Sequence, residues 1–185
     1  MKARLLTVAL LATLAACMQY SLVEAKKHKI GEFYSVASEI RWNKWTEGKI
    51  EYWTIDGPAL QSLLLYKGIK DGEPLRTVRG KDKLPKFSSD MKASEVMEFV
   101  VDSFSNYALN NVEASNLRPS MFGSKPGYRF DLTYQSSEGL EFDGIAIGTV
   151  ADDILYMIIY TGARAHYFPK YKGQVEQIIS SIETI

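Results

Sequence analysis

The chain has 185 residues, 46% of them hydrophobic and 24% charged, with 11 Tyr and 8 Phe to fill an interior. That is the composition of a globular protein with enough material for one domain and a sizeable core. The 22 basic residues are balanced by 22 acidic ones, which argues against a general nucleic-acid binder with its clear basic excess.

The N-terminus carries Lys2 and Arg4, then an apolar run from Leu5 to Leu14, then small residues. A positive start, a short apolar core and a small-residue exit make a secretory signal peptide. The run is shorter than the roughly 20 apolar residues of a permanent membrane span. Leu14-Ala15-Ala16-Cys17 closes it and resembles the lipobox of bacterial lipoproteins. The resemblance implies that residues 1–16 are removed and that Cys17 becomes a lipidated first residue. It also implies a triacylated cysteine, which anchors stably where a single acyl chain gives only marginal membrane affinity. Met18, in place of the Asp that marks inner-membrane retention in enteric-type bacteria, favours the periplasmic face of the outer membrane. The alternative is a buried thiol in a signal helix that is cut elsewhere or not at all. Cys17 is the sole cysteine, so an internal disulfide is excluded and stability must come from packing.

Residues 17–29 read as a tether. Extended at about 3.3 Å per residue, it would reach on the order of 40 Å. Lys26-Lys27-His28-Lys29 either attracts anionic headgroups, at about 1 kcal/mol per lysine, or is a solvated linker with His28 a bystander. A single domain is expected over residues 30–185.

Phe33 to Val36, Arg41 to Trp45, Lys49 to Ile55 and Leu60 to Tyr66 are β-prone runs, separated by Glu47-Gly48 and Asp56-Gly57-Pro58, and predict a meander. Trp42, Trp45 and Trp53 all fall here. They are either core rings or an aromatic ligand or partner surface. Trp42 and Trp45 are an odd number apart, so a regular strand points them to opposite faces. From Lys67 to Asp90 the pattern dissolves into Gly, Pro and charge, with Arg76, Arg79, Lys81, Lys83 and Lys86 making it basic. Such a stretch is a solvated loop, or a contact for an acidic partner or lipid headgroups.

Val96, Phe99, Val100, Ser103, Phe104 and Tyr107 keep the spacing of one buried helical stripe, with Ser89 or Asp90 as its cap and Asn110-Asn111 as its exit. A short strand from Val112 to Leu117 and a Pro/Gly-rich loop from Arg118 to Gly127 are expected next. Tyr128, Phe130, Leu132 and Tyr134 then alternate with polar residues as a half-buried strand does. Leu140 to Val150 is a strand whose Gly144 and Gly148 allow close approach of a neighbour. Ile154 to Tyr160 is apolar throughout, as a central strand covered on both faces would be. A last helix follows Phe168-Pro169 and carries Tyr171, Val175, Ile178, Ile179 and Ile182 on one face.

The expected fold class is therefore α+β: an antiparallel sheet built from two meanders and covered by two helices. The Met91-Lys92-Ala93-Ser94-Glu95-Val96 helix entry, the Gly127 to Tyr160 meander and the terminal Ile178-Ile179-Ser180-Ser181-Ile182 are similar to the PsbP-like family, an α/β/α sandwich. That family is named for an extrinsic subunit of the photosynthetic oxygen-evolving complex, and lipoproteins of unassigned function also adopt its fold. The resemblance implies a protein that stabilises or assembles a larger complex. It transfers no catalytic residue, cofactor or metal.

Chemistry-bearing motifs are sparse. Ser89-Asp90-Met91-Lys92 matches Ser-x-x-Lys, but the Lys-Thr-Gly partner motif of penicillin-binding enzymes is missing. Asp152-Asp153 is an ordinary turn pair and is not expected to bind metal. His166, beside Arg164 in a sheet-end loop, is the single candidate base, without a recognisable acid or nucleophile partner. The leading expectation is a non-enzymatic accessory lipoprotein with an envelope protein partner. The alternative is a binding module for a small ligand or lipid, drawing on Trp42, Trp45 and Trp53, on Arg76, Arg79, Lys81 and Lys83, or on His166. An enzyme built on His166 is the third reading.

Overall fold

The last long strand of the chain occupies the middle of the sheet, and this placement organises everything around it. The computed structural model describes residues 20–78, 80 and 83–185. Cys17, Arg79 and Lys81 lie outside the described residues. In chain order the strands are β1 (Ser21–Val23), β2 (Lys27–Ile30), β3 (Tyr34–Ala37), β4 (Trp42–Glu47), β5 (Ile50–Thr54), β6 (Gln61–Tyr66) and β7 (Ile69–Lys70). Helix α1 (Ala93–Ser105) precedes β8 (Asn110–Phe122), β9 (Lys125–Gln135), β10 (Glu141–Ala151) and β11 (Ile154–Ala163), and α2 (Tyr167–Ser180) and β12 (Glu183–Thr184) end the chain.

One large sheet runs β1-β4-β5-β6-β11-β10-β9-β8, with β7 also beside β11. The expected first meander keeps only β4 to β6, because its first run, Phe33 to Val36, is β3 of a separate three-stranded sheet. It meets the second, β8 to β11, along β6 and β11, which pair antiparallel from Ile158 opposite Leu65 to Gly162 opposite Gln61. Both flanks of β11 are thus occupied and both faces are covered. Leu155, Met157 and Ile159 enter the core under α1, and Tyr156, Ile158 and Tyr160 enter the core under α2. That is the physical reason for an unbroken apolar run.

The α1 face is closed by Val96, Phe99, Val100 and Phe104 of the helix and by Leu75 and Phe87 of the long connection. The connection is pinned at its base, where the Gly72 amide donates to Phe87 O at 2.8 Å and the Phe87 amide to Glu73 O at 2.8 Å. The α2 face is closed by Tyr171, Val175 and Ile178 together with a second, three-stranded sheet ordered β12-β3-β2. Arg129 of β9 reaches α2 with both terminal nitrogens, pairing Glu176 at 2.8 and 2.5 Å.

Three local expectations are corrected. The tether over residues 17–29 is structured from Ser21 on: β1 pairs with β4 and β2 with β3, and Val23 and Ile30 are core residues. The loop over 118–127 is instead the far half of β8, a hairpin at Gly123 and the start of β9. Pro119 is tolerated there because β8 is the sheet's outer strand. The α1 cap is Lys92, whose amide donates to Glu95 Oε2 at 2.7 Å, rather than Ser89 or Asp90; and Asn110-Asn111 open β8 instead of ending the helix. The close approach expected at the glycines is present. A Cβ on Gly144 would meet Tyr160 O at 2.9 Å, and one on Gly148 would meet Tyr156 O at 3.0 Å.

Candidate functional site

Side chains of β4 to β6 on the sheet's α1 face form one wall of a pocket beside the end of α1. Alternation on β4 sends Trp42 to the α2 core and Trp45 to the α1 side, as their odd spacing requires. Cross-strand pairing then sets the floor: Trp45 opposes Tyr52, and Tyr52 opposes Leu64. The Trp45 and Tyr52 rings stack with centroids 4.7 Å apart and planes 6° from parallel. Phe104 at the end of α1, Tyr107 just beyond it, and Tyr134 of β9 close the opposite wall. These residues enclose a pocket of about 360 Å³, reached also by Glu47, Tyr66 and Arg76. That size lies within the range of small-molecule sites.

Polar groups converge on this apolar bowl. The Arg76 guanidinium lies over the Tyr107 ring, 5.5 Å from its centroid, and its Nε stands 4.0 Å from Glu47 Oε1. The Tyr107 hydroxyl donates to the Arg76 carbonyl at 3.5 Å. Two buried polar atoms of the lining have no hydrogen-bond partner: Arg76 Nε and the hydroxyl of Tyr52, a residue only 6% exposed. Five further buried polar atoms, on Ser35, Gln61, Tyr128 and Arg129, also lack a partner among the described residues. What sets these two apart is that their residues line the pocket, where a ligand or partner group can reach them.

Burial pushes the Tyr52 phenol up to about 12, against the opposing pull of the Arg76 charge. Tyr107 and Tyr134 are likewise pushed up to about 12 by burial, and burial raises Tyr66 well above the ordinary phenol value. All four are neutral near pH 7. They offer hydrogen bonds and ring faces, suited to recognition of an aromatic or aliphatic group bearing an acceptor or negative charge.

The other residues singled out by sequence fall elsewhere. Trp42 and Trp53 are 1% and 0% exposed, with centroids 6.2 Å apart, and both indole N–H groups are satisfied. Trp42 donates to Ser38 Oγ at 3.0 Å and Trp53 to Glu51 Oε1 at 2.7 Å. They are core rings and cannot form a surface with Trp45. Lys83 is exposed on the long connection. His166 is exposed at the start of α2, its ring edge-on to Tyr167 at 5.0 Å. Nearby, Asp56 accepts from the Tyr171 hydroxyl at 2.5 Å and from Lys170 at 3.0 Å; the Tyr171 bond is the main reason its carboxyl is held below the usual range. Asp152 and Asp153 are exposed turn residues with positive φ of 50° and 61°. Among the described residues, no group of three or more His, Cys, Asp and Glu is arranged to hold a metal ion.

Of the residues singled out by sequence for a ligand or partner, Trp45 and Arg76 line this pocket; Tyr52, Tyr66, Phe104, Tyr107 and Tyr134, which line it too, were not among them. The available signal was the Tyr107 end of the helical stripe, an aromatic placed beyond the helix body.

No protein-family model matches the chain, and no curated protein matches it in sequence. Among solved structures it is similar to the solution structure of cyanobacterial PsbP (CyanoP) from Synechocystis sp. PCC 6803. The superposition has a TM-score of 0.55 at 13% identity and covers 95% of this chain and 99% of that one. The likeness is one of fold: the chain has a PsbP-like α+β architecture over nearly its whole length.

Proposed function

We propose that this chain is a lipoprotein held through Cys17 to the periplasmic face of the outer membrane, and that its domain is a non-enzymatic accessory unit of an envelope complex. The pocket between Trp45 and Tyr107 is its recognition site. The observation that carries this reading is the pocket itself: stacked rings, neutral phenols, and an Arg76 Nε and a Tyr52 hydroxyl without a hydrogen bond. Such a set binds, and it lacks the nucleophile–base pair that group transfer requires. The lipobox residues and the PsbP-like fold support the anchored, accessory part of the reading.

The test is cross-linking in cells and recovery of the tagged protein beside a Cys17→Ala version. One near-stoichiometric envelope protein, recovered only with Cys17 intact, is expected, and Arg76→Ala reduces the yield several-fold. Recovery independent of both residues contradicts the proposal.

A second reading, a binding module for a small amphiphile, is favoured by the same two unpaired atoms. It predicts that a low-molecular-weight ligand co-purifies with the domain and is lost from Tyr52→Phe. His166→Ala leaves both readings unaffected; a lost phenotype in that variant would instead revive an enzymatic role.

A further inference from the structure

The corrected tether changes where the domain must sit. Cys17 precedes Tyr20 by three residues, a span of at most about 11 Å even when extended. A lipid on Cys17 therefore holds β1 close to the bilayer surface, without the long reach that a 13-residue linker would give.

The residues next to this attachment point are apolar and uncovered. Along β1 the side chains alternate: Val23 enters the α2 core, while Leu22 lies on the α1 side with Asn43 opposite it. Tyr20 falls on the same side, its ring edge-on to Trp45 at 5.4 Å. Tyr20 is 43% and Leu22 51% exposed. The pair thus extends the Trp45–Tyr52 stack outward, forming an apolar strip from the pocket mouth along β1 to Tyr20, the first described residue.

The loop that borders the pocket carries exposed cations that a phospholipid surface would attract. Arg76 lines the pocket, and the loop that supplies it also carries Lys83 and Lys86, both exposed. At the mouth itself Arg76 is paired with Glu47 across 4.0 Å, so the exposed cations are those further along the loop.

We propose that the Tyr20–Leu22–Trp45 edge is a membrane-contact surface that seats the domain on an anionic phospholipid bilayer, with the pocket mouth and Arg76 at headgroup level. The proposal rests on the lipidation of Cys17 argued above. Tyr and Trp rings favour the membrane–water interface, where an apolar body and a polar tip are both satisfied. Cations near that plane are drawn to anionic lipid. The pocket mouth then lies beside the membrane surface, within reach of a partner held in the same membrane.

The test uses the full-length, processed protein in vesicles of phosphatidylethanolamine and phosphatidylglycerol, with part of the lipid brominated on its acyl chains. Trp45 emission is read as the difference between wild type and Trp45→Phe. Loss of most of that emission on brominated lipid is expected, since Trp42 and Trp53 sit in the opposite core. The Tyr20→Ser/Leu22→Ser double variant changes only exposed side chains; it stays vesicle-bound through its lipid but loses the quenching. Replacing phosphatidylglycerol by phosphatidylcholine weakens the quenching several-fold. Unquenched Trp45 in vesicle-bound protein whose mass shows acylated Cys17 overturns this orientation while leaving the anchor intact. A mass without acyl chains overturns the anchor, and this proposal with it.

Discussion

The two faces of the large sheet are built to different standards of completeness. Under α2, Trp42, Trp53, Tyr34 and Tyr160 are fully buried, and their polar atoms are paired; the Tyr34 hydroxyl, for instance, donates to Tyr66 O at 3.2 Å and the Tyr160 hydroxyl to Tyr167 O at 2.9 Å. A helix, a three-stranded sheet and a bidentate Arg129–Glu176 pair close this side. Under α1 a pocket opens over β4 to β6, its lining including two buried polar atoms without a hydrogen bond. Ser35 Oγ and Arg129 Nε are in the same state on the α2 side, so the faces differ by the pocket and not by pairing alone. The contrast teaches that stability and recognition are divided between the faces. One sheet serves both because alternate residues of a strand are independent in direction.

Substitutions sharpen that division. Trp53→Ala is the most damaging. It empties a fully buried ring site and takes away one partner of the Glu51 carboxylate, leaving Lys44 at 3.0 Å. A loss of about 3–5 kcal/mol is expected, read as a lower urea midpoint. Trp45→Ala, on the other face, is expected to cost about 1 kcal/mol, since its ring is only partly covered and leaves no enclosed cavity. Equal losses at the two tryptophans would break the comparison.

Gly127→Ala ranks next. Its Cβ would fall 2.3 Å from Gly148 O, backbone that cannot step aside without disturbing the β9–β10 pairing. A destabilisation of about 1–3 kcal/mol follows, measurable by thermal unfolding.

The Arg129–Glu176 pair adds a smaller, pH-dependent term. Hydrogen bonding from Arg129 holds the Glu176 carboxyl below its ordinary value of 4.5. A carboxyl with a depressed folded-state pKa contributes stability above its unfolded pKa, and that contribution disappears as pH falls through the folded value. The pair is partly exposed, so its worth is about 1 kcal/mol. Glu176→Gln should be less stable than wild type by this amount at pH 7, and the two unfolding curves should converge below about pH 3. A difference that persists unchanged at pH 2 would assign the effect to packing.

Tyr52→Phe carries the opposite sign. Its hydroxyl is buried without a partner, and deleting an unsatisfied group of this kind relieves a desolvation cost. The isolated domain should gain about 0.5–1 kcal/mol while its ligand or partner binding weakens. Lost stability would mean that the hydroxyl is paired in solution and that the pocket is not poised for an outside group.

How much of this was legible in the sequence depended on the range of the interactions. The apolar run of β11 and the strict alternation of β9 expose their environments directly, because burial on two faces or on one leaves a one-dimensional trace. The opposite directions of Trp42 and Trp45 followed from their spacing alone. β1 and β2 left no such trace: each is short and mostly exposed, and each exists because a partner strand supplies its hydrogen bonds. The sheet of β2, β3 and β12 joins residues from opposite ends of the chain, down to a Lys27–Glu183 ion pair. β8 was disguised by Pro119 and by Asn111 and Asn116, whose positive φ accompanies breaks in its pairing register with β9. The pocket was hidden for a different reason. Tyr52, Phe104 and Tyr134 have the pattern of core residues and are in fact buried, and only their three-dimensional arrangement shows that they also line a pocket.

The claim that recognition belongs to the α1 face is tested most directly by photo-cross-linking in cells. A photoreactive residue would be placed at Leu64 in the pocket floor, and separately at the exposed Lys172 on α2. The account predicts one discrete adduct from position 64, lost on Arg76→Ala, and no comparable adduct from position 172. The same adduct from position 172, with position 64 silent, would contradict it and move the working surface to the face assigned here to stability.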